Sequence, residues 1–251
     1  MEVAEHVASL RREGDILAVV AARTDPDTPV PTCPEWRMRD LVRHIGGVHR
    51  WAATYVAESR SQPMDEAEEH RVMDTWPPDD ARLVDWFREG HARLVHALET
   101  AAPDLVCWRF LAAPSPLAFW ARRQAHETAI HRADAESPGG PVTPFPAAFA
   151  ADGVDELLSC FFTRPSRRLV ADPARTIQVR STDTGDDWLV RIGPDCVAVT
   201  RERAESDCAV QAPASDLYLL LWNRRQPDGL AVHGDRSLLD FWRRSARVRW
   251  S

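Results

Sequence analysis

Lysine is absent from this chain: all 31 of its basic residues are arginine. No chemistry requires that choice. It points to the codon usage of a GC-rich genome, which is a hint about source and not about function. An excess of positive charge is missing too. The net charge of -7 argues against nucleic acid or an anionic membrane as the main partner. No apolar run approaches the ~20 residues that span a bilayer. The first residues, Met1-Glu-Val-Ala-Glu-His, lack the basic start and apolar centre of a signal peptide, so a cytoplasmic protein is expected. The five cysteines, Cys33, Cys107, Cys160, Cys196 and Cys208, are odd in number, scattered and without a C-x-x-C pair. That excludes a disulfide framework and a cysteine-rich zinc site as first readings, and leaves each Cys as a small apolar residue. Internal repeats and low-complexity tracts are also missing.

What is present is a chain of 251 residues, 44% of them hydrophobic, enough for one large domain or two small ones. Val7, Leu10, Ile16, Leu17 and Val20 recur at helical spacing and predict a helix over Val3–Arg23. After a Pro/Asp/Thr loop, Thr32-Cys-Pro-Glu35 has the T-x-x-E form of a capping box. It predicts a second helix from about Glu35 to Ala57, with Trp36, Leu41, Ile45, Val48 and Ala52 on its buried side. Gly46-Gly47 costs that helix roughly 1 kcal/mol per glycine, which points to close packing or ligand access near His44. Glu58–Asp80 reads as a long acidic loop. Ala81–Ala101 and Leu117–Glu136 read as the third and fourth helices of a bundle, with His91 and His96 at partly exposed positions. Ala147–Thr163 reads as a fifth helix.

The pattern then changes. Thr176–Ser181, Trp188–Ile192, Cys196–Thr200 and Cys208–Gln211 are short, β-branched and bounded by turn residues, so they read as strands. Ser215–Trp222 and Ser237–Arg244 read as helices. The fold class expected is therefore α followed by α+β: a helical bundle over residues 1–165 and a small α+β domain over 166–251, with the boundary near Pro165–Pro173.

Within Arg122–Glu136, Glu127 and His131 lie four apart, on one helix face. His126, five before His131, lies roughly 140° away, so this is not the H-E-x-x-H of metalloproteases. A carboxylate and an imidazole at this spacing suit a zinc-type divalent metal whose other ligands come from elsewhere. They equally suit an ordinary salt-bridged helix face. His44 is a candidate ligand on the second helix, and His49 a weaker one; a lone helical histidine is more commonly structural.

The stretch Val30-Pro-Thr-Cys-Pro-Glu-Trp-Arg-Met-Arg-Asp-Leu-Val-Arg-His-Ile-Gly, followed much later by Arg123-Gln-Ala-His-Glu-Thr-Ala-Ile-His-Arg-Ala-Asp-Ala-Glu, is similar to the mycothiol-dependent maleylpyruvate isomerase family of actinobacteria. The resemblance spans nearly the whole chain. It implies a DinB-like four-helix bundle joined to a sterol-carrier-like α+β domain, and it agrees with the lysine-free composition. It also implies that His44, Glu127 and His131 are the metal ligands, with zinc as the expected ion and mycothiol as the thiol cosubstrate. The family's functional arginine falls on Arg224, with Arg225 as its rival; Asn223 stands where the family commonly has glycine.

Three protein ligands leave a fourth position open, the form of a catalytic rather than a structural zinc site. A thiol bound there would be deprotonated and held for attack on a small electrophile. Isomerisation of a maleylpyruvate-type acid, or S-transfer, would follow. Arg224 would anchor a carboxylate of substrate or cofactor through its planar donor fork. Asp134 would orient His131. Two alternatives remain in the residues: a metal-dependent hydrolase with water in the open position and Asp134 or His126 as base, or a non-catalytic metal-stabilised protein. Small molecules, not nucleic acid or membrane, are the expected partners, and the sequence leaves monomer or dimer open.

Overall fold

The computed structural model describes residues 1–164, 169–246 and Val248. They divide into two compact units, Met1–Thr143 and Pro144–Ser251.

The first unit is helical. Helices α1 (Val3–Arg23), α2 (Met38–Ala57), α4 (Leu83–Thr100) and α5 (Pro116–Glu136) form the bundle, with α1 and α2 each packed against both α4 and α5. A short helix α3 (Glu66–Met73) lies within the stretch expected to be loop, and packs on α2. It forms because Asp65 accepts a hydrogen bond from the Glu68 backbone at 2.8 Å, a local N-cap among acidic residues. Its apolar content is too low for periodicity to announce it. Leu10, Leu17, Leu41, Ile45, Phe87 and Leu94 are wholly excluded from solvent, as the periodicity predicts. Each contributes about 1.5–3 kcal/mol through burial.

Two expectations fail here. Helix α2 starts at Met38 rather than Glu35, because Arg37 is its N-cap: the Arg37 N–H donates to the Asp40 carboxylate at 2.9 Å. The T-x-x-E at Thr32 is therefore not the capping box. His91, expected to be partly exposed, is buried, and its Nε2 pairs with the Leu10 carbonyl at 3.1 Å. A glycine makes this possible, since a Cβ at Gly14 would collide with the His91 ring. His96 is exposed, as expected. Gly46 and Gly47 serve close packing, against Trp86 and the Met73 backbone.

The second unit opens with α6 (Ala147–Asp155), which continues into one π-helical turn, Glu156–Phe161. A five-stranded sheet follows, in which the strands, numbered along the chain, lie in the order third, second, first, fourth, fifth. The strands are β1 (Arg175–Ser181), β2 (Asp187–Ile192), β3 (Val197–Thr200), β4 (Cys208–Ala212) and β5 (Ala231–Gly234). β1 and β4 are parallel and the other pairs antiparallel. β5, only four residues long and mostly exposed, escaped the sequence reading. Gln178 is buried in β1 with its amide satisfied by the Trp188 and Glu202 carbonyls, both at 3.2 Å. Helices α7 (Ala214–Leu221) and α8 (Ser237–Ser245) complete the unit.

The division between units falls before α6, not near residue 165. Residues 165–168, in the expected boundary, lie outside the described residues. The cause is visible in the packing: α6 lies on α7, the Phe145 N–H donates to Ser215 Oγ at 2.9 Å, and the Phe145 ring meets Tyr218 edge-on. Among the described residues no helix is long and apolar enough to cross a membrane.

Candidate metal centre

Helix α5 is buried on nearly every side, although it carries eight buried polar or charged side chains: Arg123, Gln124, His126, Glu127, Thr128, His131, Arg132 and Asp134. Buried charges must be compensated, and here they compensate one another. Arg132 donates to Glu13 of α1 at 2.8 Å and to Glu136 at 2.7 Å. Arg123 donates to Glu127 Oε2 at 3.1 Å, one helical turn along.

The other oxygen of Glu127 faces two imidazoles. Its Oε1 lies 3.2 Å from His131 Nε2 and 3.4 Å from His44 Nε2. The i, i+4 spacing on α5 brings the first, and the packing of α2 on α5 brings the second. One nitrogen from each of His44 and His131 and one oxygen from Glu127 all lie within 4.8 Å of one another, close enough to hold a metal ion. His44 is the most open of the three, its side chain 18% exposed against 3% for Glu127 and 8% for His131. Trp36 lies against both imidazoles, its ring centroid 4.8 Å from His44 and 5.8 Å from His131.

Behind His131, Nδ1 meets Asp134 Oδ2 at 2.9 Å. Asp134 Oδ1 in turn accepts the Thr32 hydroxyl at 2.6 Å, and the Cys33 thiol approaches Oδ2 at 3.5 Å.

The family model described as the mycothiol maleylpyruvate isomerase N-terminal domain matches residues 7–136, and that of the MDMPI C-terminal domain matches residues 148–241. The chain belongs to the mycothiol maleylpyruvate isomerase family, a family of enzymes. Two crystal structures are similar to this family member. One is of the mycothiol-dependent maleylpyruvate isomerase, at 14% identity and a TM-score of 0.61. The other is of a histidine-to-alanine mutant of the mycothiol-dependent maleylpyruvate isomerase, at 13% and 0.63. Each alignment covers 92% of this chain and 93% of the other. At such identity the likeness speaks for the fold. None of the curated proteins compared with the chain matches it.

In this family member the electrostatics of the three candidate ligands differ sharply. Burial alone would lower His131, but its hydrogen bonds to Asp134 and Glu127 overcome that and hold it up at about 9. Burial would raise Glu127; the two histidines and the Arg123 charge instead hold its carboxyl well below the usual range. His44 is lowered, chiefly by burial, with the Glu127 hydrogen bond opposing.

The remaining candidates lie elsewhere. His126 is fully buried on another face of α5, beside the His6 ring. His49 is fully buried and pairs with Thr128 at 2.8 Å. Arg224 belongs to the second unit. Asn223 adopts φ 63°, and the Asn223 and Arg224 N–H groups close the end of α7 on Leu220 and Leu219 at 2.9 and 2.7 Å. This is a Schellman ending, whose left-handed position Asn adopts more readily than most residues other than glycine. Arg224 Nη1 donates to the Trp222 carbonyl at 2.8 Å, whereas Arg225 is ion-paired to Asp216. The sequence reading missed Arg123, Trp36, Thr32 and Cys33 as neighbours of the centre. Arg123 was within reach, four residues before Glu127. The other three sit on a loop whose position only the fold decides.

Proposed function

We propose that this chain is a metal-dependent, mycothiol-using enzyme in which His44, Glu127 and His131 hold one divalent metal, and in which the mycothiol thiolate attacks a small electrophile. The products would be those of maleylpyruvate-type cis–trans isomerisation or of S-transfer. The observation that carries the reading is the convergence of His44 Nε2 and His131 Nε2 on Glu127 Oε1 in a member of this family.

The donor set fits such a group. Two imidazole nitrogens and one carboxylate oxygen suit zinc, and three ligands leave a position for a fourth. Arg123 engages Glu127 Oε2, which directs Oε1 to the centre. Asp134 takes the Nδ1 side of His131, which turns Nε2 toward Glu127. When bound, a divalent metal supplies Lewis acidity, so that a coordinated thiol ionises near neutral pH. His131 must then surrender the proton it otherwise holds up to about pH 9. In the isomerase reading the thiolate adds to the cis double bond of the acid, the new single bond rotates, and elimination returns the thiol with the trans product. Asp134, which a hydrolase could use as base, already accepts from His131 and Thr32, and this favours thiol over water in the open position.

For Arg224 we propose the anchoring of a carboxylate of substrate or thiol.

The test is metal analysis of the purified protein beside His44→Ala and Glu127→Ala, with mycothiol titrated into each. About one zinc per chain, lost in both variants, with mycothiol bound only by the loaded protein, is the expected result. Metal retained by both variants would overturn the triad. Metal lost while mycothiol is ignored would overturn the thiol chemistry and leave the site. An Arg224→Gln variant that binds metal normally but raises KM for a carboxylate substrate is expected; an unchanged KM would remove Arg224 from substrate binding.

A further inference from the structure

The T-x-x-E spacing of Thr32–Glu35 predicts a helix cap, and the structure gives the segment other work. The segment is a compact closed loop. The Val30 N–H bonds the Trp36 carbonyl at 3.0 Å, Cys33 N–H the Val30 carbonyl at 3.0 Å, and Trp36 N–H the Cys33 carbonyl at 2.8 Å. An isolated bridge between Pro29 and Arg37 closes its base. Thr32 is therefore presented on a fixed backbone rather than on a free loop. Its hydroxyl donates to Asp134 Oδ1 at 2.6 Å, across 102 residues of sequence. Asp134 is wholly buried, and its other oxygen meets His131 Nδ1 at 2.9 Å. From the same loop, the Trp36 ring lies against His44 and His131.

We propose that Thr32 is a positioning residue for the metal centre: through Asp134 it fixes the His131 imidazole so that Nδ1 carries the hydrogen and Nε2 faces Glu127. The inference rests on the metal reading of His44, Glu127 and His131. A carboxylate with one oxygen held from behind cannot rotate away from its histidine, and the histidine then presents one nitrogen in one orientation. The partner behind a metal-bound histidine typically influences metal affinity about 10–100-fold. The loop leads directly into α2, which carries His44, so one hydroxyl links the backbone entering one ligand helix to the carboxylate that orients a ligand on the other. Ser137 Oγ, bonded to the Asp134 carbonyl at 2.7 Å and 3.4 Å from Thr32 Oγ1, holds the helix end at the same point.

The experiment compares Thr32→Val, which keeps the shape and removes the donor, with Thr32→Ser, which keeps the donor. Zinc affinity is measured by chelator competition, and the His131 ring is followed by nitrogen-15 NMR in metal-free protein. The expected result is a zinc affinity about tenfold weaker in Thr32→Val and near normal in Thr32→Ser, with the slowly exchanging His131 Nδ1–H signal lost only in the valine variant. Asp134→Asn, alone and combined with Thr32→Val, guards against a general folding effect. If Thr32 acts through Asp134, the double variant is no weaker than Asp134→Asn alone. A Thr32→Val protein that is less stable but keeps the wild-type His131 signal and zinc affinity overturns the proposal. If the wild-type chain binds no zinc, the metal reading falls, and the His131 signal by itself decides whether Thr32 orients the ring.

Discussion

Two pairs of histidines in the bundle, His44 with His131 and His49 with His91, have opposite electrostatics. His44 and His131 face carboxylates: Glu127 lies between them and Asp134 behind the second. His49 and His91 face each other at 5.3 Å between ring centroids, with Phe87 stacked on the His91 ring, the Thr128 hydroxyl against His49 and the Leu10 carbonyl against His91. Burial pushes all four downward. At His49 it dominates, and the neighbouring His91 adds to it, so the ring is held well below its usual value and stays neutral. His91 is lowered in the same way. At His131 two anions reverse the outcome. A buried histidine is thus no sign of a ligand. The carboxylates around it decide whether it can concentrate positive charge, whether carried by a proton or by a metal.

The largest test of this contrast is Glu127→Ala. It removes the anion between Arg123 and His131, both buried, and breaking a buried ion pair by deleting one partner costs about 3–5 kcal/mol. Denaturant unfolding should show that loss, together with loss of metal. A change below about 1 kcal/mol would mean that the charges around Glu127 are not coupled to it as the geometry implies.

Next in size is the pH dependence of the metal-free protein. His131 has a folded value raised to about 9 above an unfolded 6.5, so its contribution is complete below pH 6.5 and is lost as pH rises through about 9. That amounts to about 3 kcal/mol. Urea midpoints between pH 6.5 and 9.5 should fall accordingly in metal-free protein. His49 and His91 have depressed values, so the sign reverses: below pH 6.5 the unfolded chain gains protons that the folded chain refuses, and stability falls with acid.

The smallest effect is His49→Leu. Thr128 keeps its bond to the Gln124 carbonyl at 2.7 Å, so stability at neutral pH should change by about 1 kcal/mol or less, with metal content unchanged. The acid-side slope should shrink by about 1.4 kcal/mol per pH unit. A loss of metal in this variant would break the distinction between the two pairs.

The same contrast shows what could be read in advance. Periodicity located α1, α2 and α4, and β-branched runs located β1 to β4, because there the burying face repeats within a few residues; α5, buried on nearly every side, was legible instead from its helix-favouring residues and its lack of an interrupting Gly or Pro. The sequence reading missed α3, which no core residue anchors, and β5, whose four residues carry no alternating apolar face. It placed the boundary after α6, since a helix following helices carries no local mark of which unit it packs on. On α5, helical geometry by itself put Glu127 and His131 on one face.

The sequence, then, determined what is local: the helix-bearing spans, the i, i+4 pair, and the family likeness carried by its two motifs. Only the tertiary structure decided which of the buried histidines meets a carboxylate. His44 reaches Glu127 across 83 residues and Thr32 reaches Asp134 across 102, while His49, five residues beyond His44, meets a hydroxyl. Charge and desolvation act through space, so the same residue type on the same helix becomes a proton holder or a neutral core ring according to what the neighbouring helix brings to it.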